Sequence, residues 1–547
     1  MSDAYVDVAK KIIQDSIKSA IYIDDQAQEP FEPFQDSQEE HQITKNLYEN
    51  FKNKGVSLSV YKYDTSKYDN DQNKNYIFQN RDLVLLDWKL EGESSSGEKA
   101  LELLEEITCN QQHIPFCVIY TTVDTNIVLE NIVSYFSGIS EKEYKEINGS
   151  LSFCEEEDKQ KIKDFIELSF DVDGTRAKEV FCKDNLELIN NICKELKNTY
   201  EYNFKDKKCC LIDAGIAFSN LHKSTKAIHC SRKYFSKTFA KTFAIINNTI
   251  ILILKKRDIK PEQLIDSFSK NITEYEKGVL QIISLEIQNV LRKKGSFIDE
   301  NMFNVSKTAL GYHKKTHPED FESFIKNVFI EHEALRISNE ELSILKKIDV
   351  ANYNSNLREE YISLNAFYNS SHTEKIRKKL SFGDVFRCII KNEQKYFMCI
   401  TPLCDCAHPE KRKHCFFFVS GKKCCFVKAL EVGETGFISY LSDSEEDIVQ
   451  WGEGIKGEEP TYIVPEVYLV RDNEINEKKL KVISFISNSE RENLITEGRN
   501  IEYYEYEFEY VTTIKPNYAQ RIANHAFMHP IRVGVDFVTK REQPEKK

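Results

Sequence analysis

This 547-residue chain contains no apolar run approaching the roughly 18 residues needed to span a bilayer. Its most apolar stretch, residues 245–254, is shorter and is broken by Asn247 and Asn248. The opening Met1-Ser2-Asp3-Ala4 lacks the basic and apolar regions of a signal peptide, so the expected location is cytoplasmic, with no membrane partner. A glycine-rich Walker loop is also missing, which argues against ATP or GTP hydrolysis. Positive charge is in deficit. Lys and Arg number 75 against 88 Asp and Glu, and the net charge of −13 weighs against a general polyanion binder. No internal repeat is visible. The 15 cysteines are plentiful, but the count is odd and the spacing irregular, so they read as buried thiols in a reducing compartment rather than as a disulfide framework.

At this length a single core does not suffice, and about two to four domains are expected. Residues 1–150 alternate strand and helix patterns. Residues 4–18 place Val6, Ala9, Ile12, Ile13 and Ile17 near one helical face. Residues 42–54 and 97–107 also read as helices, 57–63 as a strand, and the polar segment 64–75 as a loop. Such alternation implies a doubly wound α/β domain with a parallel sheet. Residues 151–375 are mostly helical, with apolar residues at helical spacing over 155–168, 185–200, 261–292 and 321–348. Residues 376–547 carry short alternating runs at 386–390, 396–401, 415–419, 463–470, 481–486 and 503–512, the pattern of a small β-barrel or sandwich. The expected chain is multidomain: α/β, then α, then β.

Three apolar runs in the first part end in oxygen-bearing side chains. They are Ala20-Ile21-Tyr22-Ile23-Asp24-Asp25, Asp82-Leu83-Val84-Leu85-Leu86-Asp87 and Phe116-Cys117-Val118-Ile119-Tyr120-Thr121-Thr122. Each has the length and composition of a buried parallel strand. Open α/β sheets bind ligands at the carboxyl ends of their strands. Carboxylates and hydroxyls gathered there suit a hard divalent cation and a phosphoryl group. Any one of these aspartates alone reads as a helix cap or an Asx-turn; the ordered set is harder to explain that way.

The set resembles the receiver domain of response regulators, a flavodoxin-like fold. Ile21 to Asp25 is similar to the family's first strand and acidic pair. Leu83 to Gly92, followed by Gly97 and the helix around Ala100 to Leu104, is similar to its phospho-acceptor strand and loop. Ile114-Pro115 opens a run similar to its fourth strand. The resemblance implies that Asp87 is the phospho-acceptor, a carboxylate nucleophile. It implies Mg²⁺ held by Asp25 and Asp87, helped by Asp24 and completed by the backbone carbonyl of Lys89. It also implies that the hydroxyl of Thr121 or Thr122 donates to a phosphoryl oxygen. One feature departs from the pattern. Receivers end their fifth strand with a lysine, yet no Lys-Pro and no clear strand follow Thr122, where Lys142 and Lys145 lie in a helical segment. Without that lysine the conformational readout is in doubt.

Two further segments invite chemistry. Residues 222–257 contain no acid and include Lys226, Arg232, Lys233, Lys237 and Lys241, with Phe235, Phe239 and Phe243 at helical spacing. Nucleic-acid binding is the sharper reading; the acidity of the whole chain favours an amphipathic helix packing its Phe face. Cys404, Cys406, His408 and Cys415 carry zinc-binding groups, but Cys404-x-Cys406 is not a standard ligand pair, so zinc is not expected. The segments around Gly383 to Phe386, Thr401 to Asp405 and Ile531 to Phe537 resemble the C-terminal module of bacterial proteins with an atypical receiver. Those proteins occur in predicted phage-defence signalling systems beside histidine kinase-like partners. The expected function is signal transduction, in which the receiver-like domain accepts a phosphoryl group on Asp87 with Mg²⁺ or docks a histidine kinase-like partner, rather than a dedicated enzyme. The alternative is a pseudo-receiver scaffold with a nucleic-acid-binding helical middle. A haloacid-dehalogenase-type phosphatase would need Asp-x-Asp, which Asp24-Asp25-Gln26 does not supply.

Overall fold

The computed structural model describes residues 3–29, 39–64, 71–92, 95–110, 115–136, 141–170, 175–199, 207–218, 237–239, 243–246, 249–274, 279–294, 303–316, 318, 321–348, 358–371, 379–390, 393–456, 459–476, 478–485 and 503–527. The chain divides into two units, Met1–Ala351 and Asn352–Lys547.

The first unit is built on seven strands: β1 (Ser19–Asp24), β2 (Ser57–Lys62), β3 (Leu83–Leu86), β4 (Phe116–Thr121), β5 (Lys237–Phe239), β6 (Phe243–Ile246) and β7 (Thr249–Lys255). Their order is β2-β1-β3-β4-β7-β6-β5. Every pairing from β2 to β7 is parallel, and β6 and β5 extend the edge antiparallel. The five parallel strands have the order of a flavodoxin-like doubly wound sheet. All of β3 and β4 is buried, as central strands covered on both faces require.

The side-chain period of two sorts the core into halves. Ile21, Ile23, Val84, Leu86, Cys117, Ile119, Ile251 and Ile253 face one way, toward helices Glu98–Glu105 and Thr125–Tyr135 and the helical stretch that follows. Ala20, Tyr22, Leu83, Leu85, Val118, Tyr120, Leu252 and Leu254 face helices Asp3–Ser16, Glu39–Asn53, Leu264–Glu274 and Val279–Lys294.

Three sequence expectations are corrected here. The basic segment around Phe239 and Phe243 is not an amphipathic helix: its described residues form β5, β6 and β7. The parallel sheet does have a fifth strand, which comes after the helical stretch rather than directly after Thr122. The polar segment read as a loop ends in helix Asp71–Phe78.

Gly97 is the N-cap of Glu98–Glu105 at φ +83°, and an added Cβ there would lie 2.2 Å from the Trp88 ring. Left-handed backbone alone costs a non-glycine residue about 1–2 kcal/mol. Gly97→Ala is expected to lower stability by at least that much in chemical denaturation and to shift Trp88 emission. Unchanged stability would show that the ring yields freely.

The second unit contains a closed antiparallel barrel. Asp384–Ile390 pairs with Glu393–Cys399 and with Tyr503–Ile514. From the latter the ladder passes through Lys479–Phe485, Pro465–Leu469 and Cys415–Lys423, and returns to Glu393–Cys399. These six strands coincide with the six alternating runs in the sequence. Aromatic rings fill the interior: Phe397 and Phe508 stack at 4.5 Å, and Phe418 and Tyr468 meet Phe508 at 5.8 and 5.4 Å. Among the described residues, no helix is long and apolar enough to cross a membrane.

Candidate phosphoryl-transfer site

The carboxyl ends of β1, β3, β4 and β7 meet at one edge of the first sheet, the crevice where the strand order reverses. Asp24 closes β1 and is 1 % exposed. Its Oδ1 accepts the Gln26 amide at 2.7 Å and its Oδ2 the Tyr22 hydroxyl at 2.6 Å. The next residue, Asp25, turns toward the loop after β3, where Gly92 donates its amide to Asp25 Oδ2 at 2.8 Å. Gly92 can make this approach because it sits at φ +82°. Asp87 follows β3 and accepts the Lys89 amide at 2.9 Å.

The element that sequence reasoning missed is Lys256. The ladder between β4 and β7 continues past Thr121, where the Lys256 amide donates to the Thr121 carbonyl at 2.8 Å. Alternation then separates neighbours. Lys255 pairs with Asp124 at 2.8 Å, while the Lys256 ammonium turns into the crevice. Its Nζ lies 2.7 Å from Asp24 Oδ2, 3.0 Å from Asp87 Oδ1 and 3.0 Å from Glu40 Oε1. Glu40, also absent from the sequence reading, stands in the first turn of helix Glu39–Asn53, with its Oε2 3.1 Å from the Tyr22 hydroxyl, whose one proton is shared with the nearer Asp24. The signal that could have found Lys256 is the apolar β-branched run 249–254 ending in Lys255-Lys256. Lys142 and Lys145 belong to helix Glu141–Ser150.

Residues 16–167 match the family model of the response receiver domain. This part of the chain is a receiver domain. No curated protein and no solved structure matches the chain. The receiver match stops within helix Glu156–Phe170, so β7 and Lys256 lie beyond it in sequence while completing its sheet. A receiver domain gives the chain a role in signal transduction and implies contact with signalling partners.

The receiver edge opens into a cleft of about 640 Å³, lined by Asp24, Asp25, Asp87, Lys89, Thr122 and Lys256 among others. Thr122 borders the cleft, whereas Thr121 is buried and its hydroxyl accepts the Val123 amide at 3.2 Å. Charge is unbalanced in this space. Burial pushes the Asp87 carboxyl up to about 7, against the opposing pull of Lys256. Burial also raises Asp25 and Glu40, and the neighbouring Asp24 adds to both shifts. Burial works against the Lys256 ammonium, but Asp24, Asp87 and Glu40 more than offset it and hold the ammonium well above the usual lysine range.

Among the described residues, the remaining sequence candidates do not converge into sites. Lys226, Arg232, Lys233 and Lys241 lie outside the described residues, and Lys237 begins β5. Cys404 is exposed, Cys406 is buried with its sulfur 3.3 Å from the Thr401 carbonyl, His408 stands beside Glu410, and Cys415 begins a barrel strand. Among the described residues, no group of three or more His, Cys, Asp or Glu side chains is arranged to hold a metal ion.

Proposed function

We propose that Asp87 accepts a phosphoryl group from a histidine kinase-like donor and that Lys256 senses its arrival. The observation that carries this reading is the Lys256 ammonium, 3.0 Å from Asp87 Oδ1, which supplies the cation whose apparent absence had put the readout in doubt. In the transfer, an Asp87 oxygen attacks phosphorus, the bond from phosphorus to the donor breaks, and the donor leaves with that electron pair. Lys256 draws the new phosphoryl charge toward β7, and the Thr122 hydroxyl donates to a phosphoryl oxygen at the cleft.

The donor types suit Mg²⁺: the hard carboxylate oxygens of Asp24, Asp25 and Asp87 line one cleft, although they are not gathered around a single point in this structure. Asp25, Asp87 and the Lys89 carbonyl would hold the ion, with Asp24 beside them. When bound, the ion neutralises charge between the nucleophile and the incoming group. Placement in phage defence rests on the resemblance of the C-terminal segments alone.

The test is mass spectrometry after incubation with Mg²⁺ and a small phosphodonor. Wild type gains one phosphoryl group and Asp87→Asn gains none; equal gain, or no gain in either, removes the assignment. Because the nucleophile must be ionised, the rate at limiting Mg²⁺ is expected to rise with pH through about 7. Saturating Mg²⁺ favours the ionised form and moves that rise to lower pH.

A further inference from the structure

We infer that Glu40 is a positioning residue that competes with the phosphoryl group on Asp87 for the Lys256 ammonium. The inference rests on the phospho-acceptor reading above. An ammonium has three donors, and Lys256 directs itself at three carboxylates, those of Asp24, Asp87 and Glu40. A phosphoryl oxygen that needs this cation must therefore displace one of the three.

The geometry decides which one gives way. Asp87 carries the phosphoryl group itself. The Asp24 side chain is 2 % exposed and pinned by the Gln26 amide and the Tyr22 hydroxyl, so losing the cation would leave it buried with no solvent to turn to. The Glu40 side chain is 20 % exposed and borders the cleft. Once released it can be rehydrated where it stands, at a smaller desolvation penalty. Its position in the first turn of Glu39–Asn53 also leaves it among helix amides that favour an anion. Glu40 is thus the exchangeable partner. Its hold on Lys256 weakens the phosphorylated state, and its release transmits phosphorylation to the start of that helix.

The experiment titrates the full chain with beryllofluoride and Mg²⁺, a tetrahedral mimic of a carboxylate-bound phosphoryl group, following the emission of Trp88, the neighbour of Asp87. Glu40→Gln is expected to bind the mimic about 5-fold tighter or more, the size of an ordinary coupling between sites. Glu40→Asp keeps the charge but falls one methylene short of Lys256, and is expected to tighten binding as well. In a Lys256→Met background, Glu40→Gln should add nothing. Equal affinities in wild type and both variants overturn the inference, provided wild type takes a phosphoryl group from the donor. Wild-type affinity in Glu40→Asp, or a Glu40→Gln effect that survives Lys256→Met, overturns it in favour of plain charge repulsion. A wild type that neither gains phosphoryl mass nor binds the mimic overturns the phospho-acceptor reading and this inference together.

Discussion

Lys256→Met should be among the most damaging single substitutions in the first unit at neutral pH. The ammonium is 6 % exposed and serves Asp24, Asp87 and Glu40 at once. Methionine fills the volume but leaves these carboxylates facing one another without a cation. Removing one partner of a buried ion pair costs about 3–5 kcal/mol. The sign of the pH dependence separates this cause from lost packing. Lys256 has a raised pKa, so its contribution in wild type is fully present below the unfolded value of 10.5 and is lost as pH rises through the folded value above it. Asp87 also has a raised pKa, so the folded chain holds more protons than the unfolded chain between about 4 and about 7, and Glu40, raised as well by burial, acts in the same direction. Their contribution therefore falls as pH rises through that window. Without the ammonium their folded pKa values climb further and the fall steepens. Denaturation of wild type and Lys256→Met at pH 5 and pH 8 checks this: the deficit should be larger at pH 8 and should shrink with millimolar Mg²⁺. A deficit independent of pH and Mg²⁺ would assign the loss to packing.

Phe508→Ala should do comparable damage in the second unit. Phe508 is fully buried in the barrel, stacked on Phe397 and met by Phe386, Phe418 and Tyr468. Truncating a buried phenylalanine costs about 3–5 kcal/mol, because the rings around the hole are held by their strands and collapse only partly. For a domain of this size that is a fall of about 10 °C in melting temperature. The chain divides into two units, so calorimetry of the full chain should show the loss in one transition, while phosphoryl gain at Asp87 persists. If both transitions shift together, the units unfold as one.

The legible parts of this molecule were those where local pattern and final structure obey the same period. The runs ending at Asp24, Asp87 and Thr121 became the buried strands β1, β3 and β4. The alternating runs of the last third became barrel strands, since alternation in the chain is alternation between barrel interior and exterior. Asp24, Asp25, Asp87 and Lys89 reached one cleft because each lies at or just beyond a strand end. The segment holding β5 to β7 misled because residues four apart share a face of a helix. Phe239 ends one strand and Phe243 begins the next, so their spacing reflects the connection between strands and not a common helical face. Glu40 carried no signal at all: an acid in a first helical turn is ordinary, and only the fold brings it to Lys256.

The late position of β7 has a consequence for how the protein is made. A nascent chain that has emerged through residue 167 already contains both members of the acidic pair, Asp87 and both threonines, but neither the fifth parallel strand nor Lys256. Its carboxylates cluster without their cation until the helices of the intervening stretch have emerged and β7 has added to the edge of β4. That closure joins residues far apart in sequence, which is slow relative to local helix formation. The cation of this edge therefore arrives well after the carboxylates it serves. On the function proposed above, a chain stalled or cut before residue 256 would carry Asp87 and lack Lys256, its partner in the readout.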